Sequence, residues 1–166
     1  MEKNLNSNDA IEKLQNLVKD TGTCMFFTNT QTGINNARPM AVIETDGNGN
    51  LWFFTNKLSA KVKDIEKDQN VHLVFTNPSK DSYLDLRGRA SIEHDAKSIE
   101  DKWNPIVTAW FPEGKNDPNI CLIKVKTDEA HYWDRDSTKM MEMLKLATSV
   151  ITGKQLSEGL HGDLLV

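Results

Sequence analysis

Apolar residues near the start of the chain recur at the spacing of a helix that buries one face. Asn8 and Asp9 can both cap the start of such a helix, and Gly22 can end it. The apolar positions on its buried face are Ile11, Leu14, Leu17 and Val18. The pattern therefore predicts an N-terminal helix over about 8–20.

From residue 23 the apolar positions occur in short runs separated by turn residues, which is typical of strands. Thr30–Gly33 and Asp46–Gly49 are the clearest turns, and the Asp-Gly-Asn-Gly sequence of the second predicts a hairpin. The predicted strands are Thr23–Thr28, Arg38–Glu44, Leu51–Thr55, Val71–Thr76, Tyr83–Glu93 and Ile120–Trp133.

Helical patterns interrupt and follow these strands. Helices are predicted over about 59–67, from about Asp95 to Pro105, and over about 138–152 before Gly153. Few and short helices beside several antiparallel strands predict a mainly β fold, a small β-barrel with peripheral helices. The length of the chain predicts a single domain over residues 1–166.

Composition and charge exclude several classes of protein. Of the 166 residues, 38% are hydrophobic and 27% are charged, as in an ordinary soluble globular protein. No apolar run is long enough to span a bilayer, and the N-terminus lacks the pattern of a signal peptide. A net charge of −4 without a basic stripe argues against nucleic-acid binding.

Cysteines and histidines give no sign of a disulfide or of a metal. Cys24 and Cys121 lie far apart among apolar residues, so buried free thiols are a simpler reading than a disulfide or a redox pair. The four histidines do not have the spacing of metal ligands: His72, His94, His131 and His161. We therefore expect no metal site, and a cytoplasmic protein.

The segment from Leu51 to Val62 has the features of an anion site. A strand that ends at Thr55 is followed by a turn with Ser59 and by a helix with Lys61 in its first turn. A helix N-terminus offers unpaired N–H groups, and its dipole disfavours a lysine unless an anion is bound there. The alternative is an exposed surface lysine beside a serine that only caps the helix.

A second candidate is Arg38, which opens a predicted strand in the sequence Arg38-Pro39-Met40. A guanidinium suits a pair of phosphate oxygens, so Arg38 can complete the same anion site. Pro39 has no N–H and belongs at a sheet edge or a bulge. The alternative is a solvated arginine at the start of a strand.

Large aromatic residues are frequent in the second half of the chain: Trp103, Trp110, Phe111, Tyr132 and Trp133. Aromatic residues at this density are more often part of a core than a platform for a cofactor. Trp110 and Phe111 nevertheless fall in a turn-rich connection, where large aromatic side chains usually cover something.

The sequence Phe53-Phe54-Thr55-Asn56, followed by Ser59 and Lys61, resembles the flavin-phosphate stretch of the pyridoxamine 5'-phosphate oxidases. That stretch reads F-Y-T-N, two residues, then S-R-K. Later segments are similar, in the same order, to the general-stress-protein branch of that superfamily: Trp103-Asn104-Pro105, Ala109–Pro112, Gly114, Asp117-Pro118 and Tyr132-Trp133-Asp134. The resemblance extends from about Asp9 to Gly153.

The resemblance implies an FMN-binding split β-barrel that forms a homodimer, with FMN at each of two subunit interfaces. It implies that the phosphate and ribityl chain are held by Arg38, Thr55, Ser59 and Lys61. The resemblance also implies that Pro39 and Met40 lie along the isoalloxazine edge and that Phe54, in the matched stretch, contacts the cofactor. It further implies contacts from Tyr83, in place of a flavin-contacting glutamine, from Trp110 over the ring, and from Trp133 of the other subunit.

Three departures separate the chain from the true oxidases. Ala60 replaces an arginine that helps to bind the FMN phosphate, and Ile43 replaces a substrate-binding lysine. The sequence Asp134–Ser137 lacks the R-x-H motif that binds pyridoxal phosphate. Oxidation of pyridoxamine 5'-phosphate is therefore not expected.

Three functions remain open at this point. The first is a flavin-dependent oxidoreductase that acts on an unidentified small molecule and could take part in a stress response. The matched motifs contain no residue that we identify as a catalytic acid or base. The second is a non-catalytic flavin-binding or sensor protein. The third is a split barrel that uses haem or a deazaflavin, for which an axial histidine would be diagnostic of haem.

Overall fold

The computed structural model describes residues 5–30, 32–33, 35–135 and 160–165. The helix predicted over about 138–152 lies outside the described residues. The strands are β1 (Leu5–Asn6), β2 (Thr23–Thr28), β3 (Asn36–Ala41), β4 (Glu44–Thr45), β5 (Leu51–Asn56), β6 (Asn70–Asn77), β7 (Ser82–Glu93), β8 (Ile120–Asp134) and β9 (Leu160–Leu165). The helices are α1 (Ser7–Thr21), α2 (Ala60–Lys67) and α3 (Ala96–Lys102), with 3-10 turns at Pro105–Ala109 and Gly114–Asn116.

The strands form one mainly antiparallel sheet in the order β1-β9-β8-β7-β6-β2-β3, with β5 on β8 and β4 on β5. The long strand β8 allows the sheet to curl. Its first residues, Ile120–Val125, pair with β5, while its last residues, Ala130–Asp134, pair with β9. The sheet thus curls into a half-barrel, which confirms the mainly β prediction.

A bulge between Arg87 and Gly88 shifts the register of β7 against β8. A Cβ atom built on Gly88 would lie 2.2 Å from the backbone oxygen of Lys126, far inside any contact distance. Only glycine fits there without a shift of the backbone. Bulges increase the local twist of a sheet, so this position contributes to the curl.

Two hydrophobic clusters fill the structure. The first lies between α1 and the curved sheet and includes Leu14, Phe26 and Leu86, all fully buried. The second lies where β5 and β8 meet α3 and the 3-10 turn, and it includes Trp52 and Leu122. Because β5 contributes side chains to both clusters, its C-terminal end is held firmly in place.

Five of the six predicted strands agree with the structure to within one residue at each end. The Asp46–Gly49 hairpin is also present, with the N–H of Asp46 donating to the carbonyl of Asn50 at 2.9 Å. Arg38–Glu44 is wrong as one strand. The chain changes partners there, since the N–H of Val42 donates to Gly22 and that of Ile43 donates to Trp52.

Candidate functional site

The turn between β5 and α2 holds a buried hydroxyl group that has no partner. Ser59 is the N-cap residue of α2, but its side chain makes no capping hydrogen bond. Its Oγ atom is buried and has no hydrogen-bond partner in the described structure. A buried hydroxyl that is left unsatisfied costs free energy, so this atom is available to a ligand at the helix N-terminus.

Lys61 folds back from α2 onto the end of β5. Its Nζ atom donates to Thr55 Oγ1 at 3.0 Å, and Thr55 is buried. In the described part of the chain, no carboxylate lies within ion-pair distance of this half-buried ammonium group. Lys61 therefore lies beside the Ser59 turn without a neutralising partner.

Arg38 reaches the same region from β3. Its Nη1 atom donates to Thr28 Oγ1 at 2.9 Å, and its Nη2 atom lies 3.8 Å from Asp64 Oδ2. The hydroxyl of Thr28 in turn donates to Asp64 Oδ2 at 2.8 Å. The three side chains form a closed triangle that joins β2, β3 and α2.

Lys61 and Arg38 are close enough for the charge of Arg38 to affect the pKa of Lys61. Burial lowers the pKa of Lys61, and the positive charge of Arg38 lowers it further. Burial also lowers the pKa of Arg38, although Asp64 acts in the opposite direction. Both groups would be more stable in their charged forms with an anion between them.

Cys121 lies directly opposite Thr55 in the β5–β8 pair and is fully buried. Burial raises the pKa of its thiol to about 11, although the charge of Lys61 acts to lower it. The group next to the cationic site is therefore a neutral thiol at physiological pH.

These residues fit a phosphate group. The site offers a guanidinium, an ammonium group and an orphaned hydroxyl at the start of a helix, all of which bind phosphate oxygens well. Arg38, Ser59 and Lys61 could hold such a group, with Thr55 fixing the ammonium. The four residues that the resemblance implies for the phosphate and ribityl chain therefore lie in one region of the structure, on β3, at the end of β5 and at the start of α2.

Three other predicted residues lie on β3 and β5, close in sequence to Arg38 and Thr55. Met40 is partly buried and packs on the first hydrophobic cluster, whereas Pro39 lies opposite Met25 on the other face of β3. Phe54 packs in the second cluster, with its ring centroid 5.7 Å from that of Trp103. Phe54 is partly buried in this packing.

Tyr83 and Trp133 are directly opposite each other in the β7–β8 pair. Their neighbours Leu84 and Tyr132 are buried in the first cluster, so Tyr83 and Trp133 point to the outer face of the sheet. They are 37% and 44% exposed, and they lie on the opposite face of the sheet from Arg38, which is directly opposite the buried Phe26.

Two histidine–aspartate pairs lie on the same outer face. His72 Nε2 is 2.8 Å from Asp85 Oδ1, and His131 Nδ1 is 2.5 Å from Asp163 Oδ1. The ring of His131 also contacts that of Trp133, at 4.5 Å between centroids. No sequence pattern indicated these pairs, because their members lie 13 and 32 residues apart.

Trp110 ends the 3-10 turn at Pro105–Ala109 and is 64% exposed, while the next residue, Phe111, is buried. The exposed surface of such a tryptophan can contact a ligand or a second chain.

Thr28 and Asp64 contact Arg38, but no sequence pattern marked them as part of the site. Their contact joins residues 36 positions apart, and neither residue belongs to the matched motifs. Among the described residues, no group of three potential ligands could hold a metal ion, and none of the helices is long and apolar enough to cross a membrane.

The chain is similar to known proteins in sequence and in fold. Protein bli-3 of Neurospora crassa is 31% identical to this chain over an alignment of 139 residues. The alignment covers 78% of this chain and 66% of bli-3, so the chain spans just under two thirds of that relative. The general stress FMN/FAD binding protein of Xanthomonas citri is 31% identical with a TM-score of 0.67, over 78% of this chain and 92% of that one.

A crystal structure described as a general stress protein 26 from Jannaschia sp. CCS1 has a TM-score of 0.80 over 95% of this chain and 99% of that one. At 21% identity it supports the fold alone. The fold is therefore the split β-barrel. Because the family model described as pyridoxamine 5'-phosphate oxidase like matches residues 9–157, the chain belongs to the pyridoxamine 5'-phosphate oxidase-like family.

Proposed function

We propose that this chain is a single split-barrel domain that binds FMN through its phosphate at the turn before α2. The observation that carries the proposal is the half-buried ammonium group of Lys61, which has no carboxylate within ion-pair distance among the described residues. Burial and the positive charge of Arg38 lower the pKa of Lys61, and in the described structure the buried hydroxyl of Ser59 has no hydrogen-bond partner. A phosphate would satisfy all three at once.

The ring of the flavin needs two apolar walls, and one protomer offers only one. Tyr83 and Trp133 face outward and are partly exposed, so they are free to form the second wall of a site on another copy of the chain. We therefore propose a homodimer with two equivalent sites, in which Trp110 also contributes to the cover of the ring.

FMN would supply hydride transfer, while the chain would supply binding and orientation. The proposed activity is a flavin-dependent oxidoreductase that acts on an unidentified small molecule, with a connection to stress responses through relatives named general stress proteins. Both described cysteines are free, which supports a cytoplasmic location.

We propose that pyridoxamine 5'-phosphate is not the substrate of this chain. Ile43, at the position of the substrate-binding lysine, packs against the second hydrophobic cluster. Arg135, in the segment that lacks the R-x-H motif, is paired with Asp81 at 2.7 Å. The same observations support a second candidate, a non-catalytic flavin-binding or sensor protein, because such a protein needs no substrate pocket.

The visible absorption spectrum of the purified protein tests the proposal. We expect flavin bands in the protein as purified or, after removal of bound ligand, on titration with FMN. The absence of binding by either route would contradict the proposal, and a Soret band would instead identify haem. Turnover of a reduced nicotinamide with the flavin-loaded protein would then favour the oxidoreductase over the non-catalytic binder.

A further inference from the structure

We propose that Asp64 and Thr28 are positioning residues that hold the guanidinium of Arg38 toward the phosphate of a bound flavin. The inference deepens the proposed function and rests on it. Neither residue needs to touch the ligand. They act through Arg38, and together they convert a long flexible side chain into a fixed phosphate contact.

The first support is the geometry of the contacts. Arg38 donates to the hydroxyl of Thr28, the same hydroxyl donates to Asp64, and the carboxylate lies 3.8 Å from the guanidinium. The hydroxyl of Thr28 is therefore used as both acceptor and donor. Valine at this position would have nearly the same shape but could do neither.

The second support is burial. Thr28 is fully buried, and the side chains of Arg38 and Asp64 are 20% and 18% exposed. Surface ion pairs usually contribute little because both partners remain mobile and solvated. Here the pair is largely enclosed and is joined through a buried hydroxyl, so the orientation of the guanidinium is fixed before a ligand arrives.

The negative charge of Asp64 allows a positioning role to be told apart from an incidental one. A carboxylate near a phosphate repels it, so an aspartate without a positioning role would weaken phosphate binding. Removing its charge would then tighten FMN. If Asp64 positions Arg38, removing the charge releases the guanidinium and weakens FMN instead. The two roles of Asp64 therefore predict opposite changes in FMN affinity for the same substitution.

The experiment measures dissociation constants for FMN and for riboflavin, which lacks the phosphate, with the full-length protein. We expect Asp64→Asn to weaken FMN about tenfold, as for the loss of one charge-assisted contact, and to leave riboflavin nearly unchanged. Asp68→Asn is the matched control, because Asp68 follows the same helix and bonds to Asn29 and Asn70 rather than to Arg38. The control should leave FMN affinity nearly unchanged.

Two further variants separate positioning from folding. Thr28→Val should weaken FMN selectively, whereas Thr28→Ser keeps the hydroxyl and should restore the preference for FMN over riboflavin. If Thr28→Val does not fold, Asp64→Asn and Thr28→Ser still decide the question. Once Arg38→Ala has removed the guanidinium, adding Asp64→Asn should no longer weaken FMN, because the two residues act through one contact.

Four results would overturn the inference. They are tighter FMN binding by Asp64→Asn, unchanged FMN binding by Asp64→Asn, equal losses for FMN and riboflavin, and additive effects of Arg38→Ala and Asp64→Asn. A wild-type protein that binds neither flavin would overturn the proposed function itself. A wild-type protein that prefers FMN while Asp64→Asn behaves as wild type would overturn only the positioning role.

Discussion

The ammonium nitrogen of Lys61 lies 3.0 Å from the hydroxyl oxygen of Thr55, and this contact joins the first turn of α2 to the end of β5. A lysine at this end of a helix opposes the helix dipole. Its position on a buried threonine, rather than in solvent, places the charge beside the Ser59 turn. The contact explains how a residue that is unfavourable for the isolated helix can serve an anion site.

Lys61→Ala should weaken FMN by about one to two orders of magnitude, because a charge-assisted contact to phosphate contributes roughly 1.5–3 kcal/mol. Riboflavin lacks the phosphate and should bind nearly as before. Quenching of flavin fluorescence on titration measures both affinities. Lys63→Ala is the control, because Lys63 lies on the same helix and is exposed. Equal losses for both ligands would show that Lys61 acts structurally.

The flavin site should require a dimer, since Trp133 faces away from the phosphate residues of its own protomer. Added FMN should shift a dissociating sample toward dimer, because a ligand that binds only the dimer stabilises it by mass action. Sedimentation velocity with and without FMN measures the shift. A monomer that binds FMN as tightly as the dimer would contradict this prediction.

Trp133→Ala should weaken FMN while the barrel stays folded, because this side chain is 44% exposed in the protomer. Trp133→Phe keeps an aromatic wall and should retain most of the affinity. Far-ultraviolet circular dichroism checks the fold, and titration checks the affinity. Unchanged FMN binding by Trp133→Ala would place the tryptophan outside the site.

Gly88→Ala should destabilise the fold by about 1–3 kcal/mol, because the new methyl group would meet the backbone oxygen of Lys126. Gly47→Ala is the control, since a Cβ atom there has no neighbour within 4 Å. Urea unfolding of both variants gives the free energies. Equal stability of the two variants would mean that the bulge relaxes at no cost.

Asp46 should make stability depend on pH in the acidic range. Burial acts to raise the pKa of Asp46, but hydrogen bonds from Trp52, Asn50 and Asn48 outweigh it and leave the pKa below its ordinary value. The folded state therefore binds the proton more weakly than the unfolded state. The resulting stabilisation is complete above the unfolded pKa of about 3.9 and is lost as pH falls through the lower folded pKa.

Asp46→Asn removes this carboxylate and should be less stable than wild type at neutral pH. The difference in unfolding free energy should shrink as pH falls below about 4. Asp101→Asn, an exposed change on α3, is the control for loss of one negative charge. A difference that stays constant from neutral to acidic pH would show that the charge of Asp46 does not contribute.

Local patterns predicted most of the strands and made the strand–turn–helix segment of Thr55, Ser59 and Lys61 a candidate anion site. The spacing left an exposed surface lysine as the alternative, and the phosphate role came from the resemblance. Contacts between distant segments were not predictable in this way. Asp64 reaches Thr28 across 36 residues, and the break at Val42 depends on which neighbouring strand offers a partner.

The buried thiol of Cys121 has a consequence for exposure to oxidants. Peroxides attack the thiolate, and a thiol with a pKa of about 11 is ionised only to about one part in ten thousand at pH 7. The sulfur beneath the cationic site should therefore resist conversion to a sulfenic or sulfinic acid. The packing between Thr55 and Cys121 would then stay unchanged, and Lys61 would keep its position, under the oxidising conditions that accompany many forms of cellular stress.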